Sequence, residues 1–247
     1  MANLRQYGTN MRISLFILLS ILFGQDLPFQ IGEKLIYNAK FNIIPSGTAS
    51  LEVVGHDTIN GIRTFHARFK ASTNPTLDRL YKLRDRVDIW MDETDLFTHQ
   101  LKKNIREGNY HKKTLTTIHY ESSLAIINAD TVTISGPVRD PYSLFFYLRS
   151  IPLEVGQLME FTSFENKKFT PFQLAVTGKE TINTQAGHFN CIVVKPFRRG
   201  EALLKNEGDM QIWFSDDKKR LPIQIQIKLK FGSMHMKLKE ITNRKAG

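Results

Sequence analysis

The most regular hydrophobic pattern of the chain lies near its C-terminus. From position 221, apolar residues fill every second position and polar residues fill the positions between them: Leu221, Ile223, Ile225, Ile227, Leu229 and Phe231 against Gln224, Gln226, Lys228 and Lys230. Because successive side chains of a strand point to opposite faces, this pattern predicts a long strand with one buried and one solvated face. Similar alternation at 210–214 and 234–238, separated by turn residues at 215–219 and 232–233, predicts three consecutive antiparallel strands.

The same signals divide the rest of the chain into strands. In the first half we predict strands at 33–41, 47–55, 64–71, 86–92, 97–106 and 110–120. In the second half we predict them at 157–164, 171–179, 188–195, 209–215, 221–231 and 233–241, and a hairpin at 123–127 and 130–134 lies between the halves. The sequence therefore predicts an all-β, mainly antiparallel fold.

The two halves resemble each other at a nearly constant offset. The segment LEVVGHDTIN (51–60) matches LAVTGKETIN (174–183) 123 positions later, and the same offset carries Ile89-Trp90 onto Ile212-Trp213. With one residue inserted, the offset also places Phe65 on Phe189, Gln100 on Gln224 and Gly108 on Gly232. Several matches at one offset favour an ancient duplication. We expect a single domain over 25–247 whose halves, about 32–120 and 156–241, are joined by a hairpin and a helix at 121–150.

That linker carries the clearest helical signal of the chain. Asp140 can cap the helix, Pro141 suits its first turn, and residues 142–150 (YSLFFYLRS) are apolar nearly all round. A helix that is apolar on all sides must be covered, so we expect it to pack across a concave sheet. A second short helix is predicted at 75–82. The predicted fold is a curved sheet or open β-barrel with these helices across its concave face, and a two-layer sandwich is the alternative.

The N-terminus predicts the compartment. Two arginines, an apolar run at 13–23 and Gly24 have the order of a cleavable signal peptide over 1–24, and the run is too short to span a membrane. We therefore expect a periplasmic protein. No cysteine follows the run, which argues against a lipoprotein anchor, and the sole cysteine, Cys191, precludes an intramolecular disulfide.

The charge adds a candidate surface. The chain has a formal net charge of +10, and its lysines cluster on predicted strands at Lys102, Lys103, Lys112, Lys113, Lys228 and Lys230. Nucleic acid is the usual partner of such charge, but export argues against it. Anionic lipid headgroups, as on a membrane surface, or an envelope protein are the expected partners. The alternative is a solvated face whose lysines prevent edge-to-edge aggregation.

Several segments resemble a bacterial envelope family, domain of unknown function 3108. They are GEKLIY (32–37), IPSGTA (44–49), DPYSLFFYLR (140–149), GHFNC (187–191) and IWFSDDKKRLP (212–222). The resemblance implies an exported, β-rich protein without an assigned activity, and a fold similar to the curved half-barrels of periplasmic lipoprotein and lipid carriers. Because fold does not carry function, it transfers no catalytic residue.

No motif predicts a catalytic residue, a metal site or a cofactor. Asp216 and Asp217 beside Arg220 could perform acid–base chemistry, but Asp92 occupies a similar position after Trp90, which favours a turn role for these aspartates. The histidines are scattered, and no nucleophile or phosphate-binding motif occurs. Cys191 alternates with Phe189 and Val193, as a small buried residue does.

These observations favour a binding protein. We expect a lipophilic ligand to lie between the curved sheet and the helix, with candidate contacts Tyr142, Phe145, Phe146, Arg149, Trp90 and Trp213. The tryptophans either line that cavity or pack under a loop on the other face. The alternative functions are a structural or assembly factor that binds another envelope component, and an envelope hydrolase that uses acidic residues.

Overall fold

A computed structural model describes residues 27–198 and 209–243, which form one antiparallel sheet of 14 strands and one α-helix. The predicted signal peptide lies outside the described residues. The first six strands are β1 (Glu33–Phe41), β2 (Ile44–Ile59), β3 (Ile62–Thr73), β4 (Arg84–Asp92), β5 (Thr98–Glu107) and β6 (Tyr110–His119). The hairpin β7 (Leu124–Ile127) and β8 (Asp130–Thr133) and the helix α1 (Pro141–Ser150) follow. The last six strands are β9 (Leu158–Glu165), β10 (Lys168–Thr184), β11 (Gly187–Phe197), β12 (Asp209–Ser215), β13 (Pro222–Leu229) and β14 (Gly232–Asn243).

The sheet runs in the order β8-β7-β6-β5-β4-β3-β2-β1-β14-β13-β12-β11-β10-β9, so the first and last strands of the chain pair in its middle. The sheet curves without closing. The segment before the helix links β5 to the edge strand β9: Thr98 N–H donates to the Val138 carbonyl (2.9 Å), and Phe164 N–H of β9 donates to the Arg139 carbonyl (2.8 Å). The predicted curved, open sheet is confirmed, and the sandwich is not formed by the described residues.

The helix lies on the inner face of this sheet, as predicted. The Asp140 carboxylate caps it by accepting hydrogen bonds from the backbone N–H groups of Tyr142 (2.7 Å) and Ser143 (3.2 Å). Phe146 is fully buried among residues of β1 to β5, while Leu144 belongs to a second buried cluster with β10 to β12. The predicted second helix shrinks to a 3₁₀ turn, Leu77–Arg79, whose Leu77 N–H donates to Asn74 Oδ1 (2.8 Å).

The two six-strand meanders share irregularities at equivalent positions. The β2–β3 ladder shifts between Val53 and Gly55, and the β10–β11 ladder shifts between Val176 and Gly178. The ladders after β4 and β12 both shift directly after a tryptophan, Trp90 and Trp213. These shared bulges are what a duplication predicts, and the duplication itself stays a proposal.

The β3 and β11 strands do not follow the sequence offset. Trp90 lies across from His66, whereas Trp213 lies across from Val193, so the ladder does not place Phe65 and Phe189 at equivalent positions. The hairpin of the second half is longer as a result. This longer hairpin can reach across the outer face of the sheet.

The tip of the β10–β11 hairpin crosses the outer face of β13, β14 and β1. Asn38 Nδ2 donates to Gln185 Oε1 (2.9 Å) across this contact, and a groove of about 440 Å³ remains beside it. Gln224, which alternation assigns to the solvated face, is buried in this region together with Trp213, its neighbour on β12. The prediction that Gln224 faces water is therefore wrong.

Candidate ligand-binding site

The helix presents its predicted contact residues to two different environments. Phe146 points into the core and meets the Phe29 ring edge-on at 5.1 Å between centroids, so it is not a ligand contact. Tyr142 packs on Phe69 (5.5 Å) and Phe145 packs on Phe214 (6.4 Å), and both Tyr142 and Phe145 remain half-buried. Of the predicted helix contacts, these two can still meet a ligand.

Arg149 joins the last turn of the helix to the sheet and does not face a ligand. Its guanidinium donates to both carboxylate oxygens of Glu33, at 2.7 and 3.2 Å, and to the carbonyls of Pro28 (2.9 Å) and Lys219 (3.2 Å). Arg149 is 2% exposed and Glu33 is 6% exposed. All three donor nitrogens are thus occupied by protein acceptors, which corrects the assignment of Arg149 as a ligand contact.

The tryptophans lie on the outer face of the sheet. Ile89 faces the core that contains Phe146, so its neighbour Trp90 points the opposite way. Trp90 stacks on His66 (4.6 Å between ring centroids) and its indole N–H donates to Asp57. Trp213 is buried and donates its indole N–H to Glu180, 123 positions after Asp57. Neither tryptophan meets a ligand on the inner face, and packing is the correct alternative.

A charged network surrounds Trp90 on this outer face. Asp88 is buried, and its carboxylate accepts hydrogen bonds from Arg86 Nε (2.6 Å), Arg68 Nε (2.7 Å) and His66 Nε2 (2.9 Å). Burial alone raises the pKa of Asp88, but the hydrogen bonds from these three side chains outweigh it, and the pKa of Asp88 falls well below its usual range. Three cationic or polar side chains thus converge on one buried carboxylate, as in a structural ion cluster.

The inner face of β12, β13 and β14 carries apolar side chains that the core leaves half-buried. Cross-strand pairs join them in one stretch: Met210 lies opposite Ile227, Ile227 opposite Met234, and Ile225 opposite Met236. We call these five residues the apolar patch. They share a face with Ile212 and Phe214, which pack against the helix. The sequence predicts them as apolar strand residues, but it does not reveal that they stay half-buried.

Polar side chains lie beside core residues on the inner face of β4 and β5. Lys103 lies opposite Val87, a core residue, and its Nζ donates to Glu165 of β9 (2.6 Å) with only 11% of the side chain exposed. This corrects the assignment of Lys103 to the basic surface. Since adjacent residues of a strand face opposite sides, Lys102 and Lys103 could not both be external, and Lys102 is the exposed one.

Asp85 lies on the same inner face as Val87, two positions earlier in β4. Its carboxylate accepts a hydrogen bond from Arg106 N–H (3.0 Å). Burial raises the pKa of Asp85 to about 6, and the negative charge of Glu107 contributes to the increase. Asp85 and the Lys103–Glu165 pair thus give the inner face a polar side.

The remaining predicted lysines gather at one end of the sheet. Because strand direction alternates, one end of the sheet carries four connections: β1–β2, β3–β4, β5–β6 and β13–β14. We call this end the open end. Lys112, Lys113, Lys228 and Lys230 lie within or next to the last two of these connections and are exposed. The helix lies toward the other end, since its first and last turns meet Thr98 and Glu33, which begin β5 and β1.

Asp217 and Cys191 are held in structural environments. Asp217 Oδ1 accepts hydrogen bonds from the backbone N–H groups of Lys219 and Arg220, each at 3.0 Å, so it holds a turn. Burial raises the pKa of the Cys191 thiol to about 12, which keeps it protonated. Within 27–198 and 209–243, no three His, Cys, Asp or Glu side chains are grouped as metal ligands, and no helix is long and apolar enough to cross a membrane.

Comparisons with known proteins match the chain to one family and to several solved structures. The family model described as "Protein of unknown function (DUF3108)" matches residues 36–239. A comparison with curated proteins gives no match. Among solved structures, the chain is similar to a beta-barrel-like protein of domain of unknown function DUF1849 from Brucella abortus. The TM-score is 0.60 at 10% identity, and the match covers 87% of this chain and 98% of that one.

Two further solved structures have lower scores. The hypothetical protein CT021 from Chlamydia trachomatis has a TM-score of 0.41 at 9% identity, with 88% and 90% of the two chains covered. A protein from Bacteroides fragilis described as exported, with a YmcC-like fold, has a TM-score of 0.42 at 12% identity, with 88% and 98% covered. Only the first likeness shows the fold, which it places among beta-barrel-like sheets.

Proposed function

The chain belongs to the DUF3108 family, which has no assigned activity, and we propose that it is an exported cell-envelope protein that binds and carries a lipophilic molecule. The apolar patch on the inner face carries this proposal. Five large apolar side chains, joined across three strands, remain half-buried beside a helix that offers Tyr142 and Phe145. A continuous exposed apolar surface marks a binding site more often than isolated residues do.

The size of the patch fits an acyl chain. Each patch residue has at most about a third of its surface still to bury, worth about 1 kcal/mol, so covering five gives at most about 5 kcal/mol before the costs of binding. Each methylene of the ligand that leaves water adds about 0.8 kcal/mol. A net affinity in the micromolar range, about −8 kcal/mol, is then within reach. The three methionines of the patch can adapt to chains of different shape.

The polar side of the inner face narrows the ligand class. Asp85 and the Lys103–Glu165 pair lie on strands β4, β5 and β9, away from the patch on β12 to β14. Polar groups exclude a uniformly apolar ligand from this side, because each would lose water without gaining a partner. The arrangement favours an amphiphile such as a fatty acid or a phospholipid.

A fluorescent fatty acid titrated into the purified protein tests the proposal. We expect Ile227→Asp, in the patch, to raise the dissociation constant at least about tenfold, since it places a charge against the acyl chain. Gln226→Asp, the next residue on the outer face, should leave it unchanged. Phe145→Ser should weaken binding while the protein stays folded, whereas Phe146→Ser should unfold it. Equal affinities for the Ile227 and Gln226 variants, or no lipid bound by the wild type, would contradict the carrier function.

Export is tested separately. Residues 1–24 have the composition of a signal peptide, so the intact mass of protein from the periplasm should begin at or within a few residues of Gln25. An uncleaved N-terminus in a membrane fraction would contradict export.

The alternative function, an assembly factor for another envelope component, has one observation in its favour. β9 pairs with β10 along one edge, while along the other edge only a bridge between Arg139 and Ser163 is formed by the described residues. Leu158, at the start of this edge, is 50% exposed. A strand of a partner could extend the sheet here. Protection of β9 amides from hydrogen exchange by a captured envelope protein, with no lipid bound in native mass spectrometry, would favour this alternative.

A further inference from the structure

The open end of the sheet carries large apolar side chains that are almost completely exposed. Ile43 in the β1–β2 turn is 88% exposed, Leu80 after the 3₁₀ turn is 86% exposed, and Phe231 in the β13–β14 turn is 88% exposed. Ile44 (61%), Tyr81 (47%) and Tyr110 (54%) lie beside them. Single exposed apolar residues are common on soluble proteins, but these six occupy four connections at one end of the sheet.

Backbone hydrogen bonds join these connections into a continuous edge. Asn42 N–H donates to the Ser233 carbonyl (2.7 Å), and Ser233 N–H donates back to Asn42 Oδ1 (2.8 Å), which sets the turn of Ile43 beside that of Phe231. We call the six exposed residues the apolar rim. The part of the apolar rim that consists of Phe231, Ile43 and Ile44 is therefore held together by the fold.

The same kind of contact connects the rest of the apolar rim. Asn74 N–H donates to the Ser46 carbonyl (2.9 Å), which links the β3–β4 connection to the start of β2. Gly108 N–H donates to the Lys82 carbonyl (2.8 Å), and the Tyr81 ring lies against Gly108, so Tyr81 is close to the turn that Tyr110 follows. The exposed side chains thus project from linked turns and not from independent loops.

Cations are interleaved with these apolar tips. The exposed basic residues next to rim positions are Lys40, Arg79, Lys82, Lys112, Lys113, Lys228 and Lys230. Two acidic side chains near the rim are paired with basic ones, Asp78 with Arg84 and Asp130 with Lys167, while Glu107 lies beside Asp85 and Tyr81. The exposed basic residues outnumber these acidic ones. The open end therefore combines protruding apolar side chains with excess positive charge.

We propose that the apolar rim docks the protein on an anionic lipid surface. Protruding aliphatic and aromatic side chains enter the boundary between headgroups and acyl chains, and neighbouring lysines contact the phosphates. A protein partner would favour a groove or a flat apolar area, whereas these side chains stand on separate turn tips with cations between them. Docking rests on the proposed carrier function and deepens it. The apolar patch reaches this end, because Met234 is the third residue of β14 and Met210 lies at the start of β12.

Vesicle flotation tests the docking. The probe is a vesicle of phosphatidylcholine with roughly one third phosphatidylglycerol, compared with a vesicle of phosphatidylcholine alone. The double variant Ile43→Ser, Phe231→Ser removes two rim side chains, and Ile62→Ser, Val155→Ser removes two side chains that are 46% and 54% exposed at the opposite end. We expect the rim variant to lower the partition coefficient at least about tenfold and the control to stay within about twofold of the wild type.

Three further measurements separate the outcomes. Wild-type flotation should weaken as salt rises and should be stronger on the anionic vesicles, because the lysines contribute. The rim variant should still bind the fluorescent fatty acid in solution, so a failure of docking is distinguishable from a failure of the carrier function. The docking proposal is overturned if the rim variant floats like the wild type, if both vesicles bind equally, or if the rim only drives self-association in sedimentation.

Discussion

Replacing Arg149 with methionine distinguishes a structural role from a ligand-anchoring role for this residue. Its guanidinium joins the end of the helix to Glu33, 116 positions earlier in the chain, and to the carbonyls of Pro28 and Lys219. Methionine keeps most of the side-chain volume and removes the charge and all the donors. The Glu33 carboxylate is then left without its partner. We expect a large loss of folding free energy and no specific loss of ligand affinity.

The geometry sets the magnitude of this loss. Removing one partner of a buried ion pair costs about 3–5 kcal/mol, because the other charge stays buried and unpaired. A groove of about 270 Å³, lined by Pro28, Glu33 and Lys219 among others, opens beside the pair. Water can therefore reach Glu33 and the two carbonyls in the variant, so we expect about 3 kcal/mol. With a urea slope of roughly 2–3 kcal/mol/M, the unfolding midpoint should fall by about 1 M.

Equilibrium unfolding in urea, followed by tryptophan fluorescence, measures the loss. Arg63→Met is the matched control, since Arg63 pairs with Glu93 at 3.0 Å but has 67% of its side chain exposed, and it should cost less than about 1 kcal/mol. Adding Glu33→Gln to Arg149→Met should recover at least about 1.5 kcal/mol relative to the sum of the single changes. Additive losses, or equal midpoints for the Arg149 and Arg63 variants, would refute the buried-pair explanation.

Three further predictions concern buried polar groups. Gln224→Lys should cost about 2–4 kcal/mol because this position is covered, whereas Gln226→Lys, on the same face and half-buried, should stay within about 0.5 kcal/mol; equal urea midpoints would contradict this. The raised pKa of Asp85, about 6, means that its contribution to stability is present at acid pH and is lost as pH rises through about 6. Asp85→Asn should therefore become more stable relative to the wild type as pH rises from about 4 to above 6. If the melting temperatures of the two proteins change with pH in parallel, this prediction is wrong. Asp140→Ala removes two N-terminal cap hydrogen bonds and the acceptor of the Thr98 hydroxyl. It should lower the free energy of unfolding by about 2 kcal/mol in the same urea assay, and an unchanged midpoint would show that the cap is not needed.

Local signals were sufficient for the secondary structure. The period-two alternation and the turn residues located every strand to within a few residues, because the side chains of a strand must take opposite faces whatever covers them. The cap at Asp140 and the proline after it located the helix, because both act on backbone groups within one turn. The strands β2 and β10 ran longer than predicted, because Gly55 and Gly178, at the predicted ends, lie at bulges within continuous strands and not at turns.

The candidate site depended on contacts between distant residues. Alternation separates two faces of β13, but it does not say which part of each face another layer covers. The β10–β11 hairpin folds over Gln224, while nothing among the described residues fully covers Met234 on the inner face. Local patterns predicted an exposed Gln224 and a fully covered Met234.

The sequence by itself determined the all-β architecture, the helix with its cap, and the apolar composition of the strands. Only the tertiary structure decided that Arg149 pairs with Glu33, that Lys103 turns inward to Glu165, and that exposed side chains such as Phe231 meet at one end. The physical reason is that a side chain's direction follows from its local backbone. Its burial and its partners follow from where the curved sheet brings strands that are far apart in the chain.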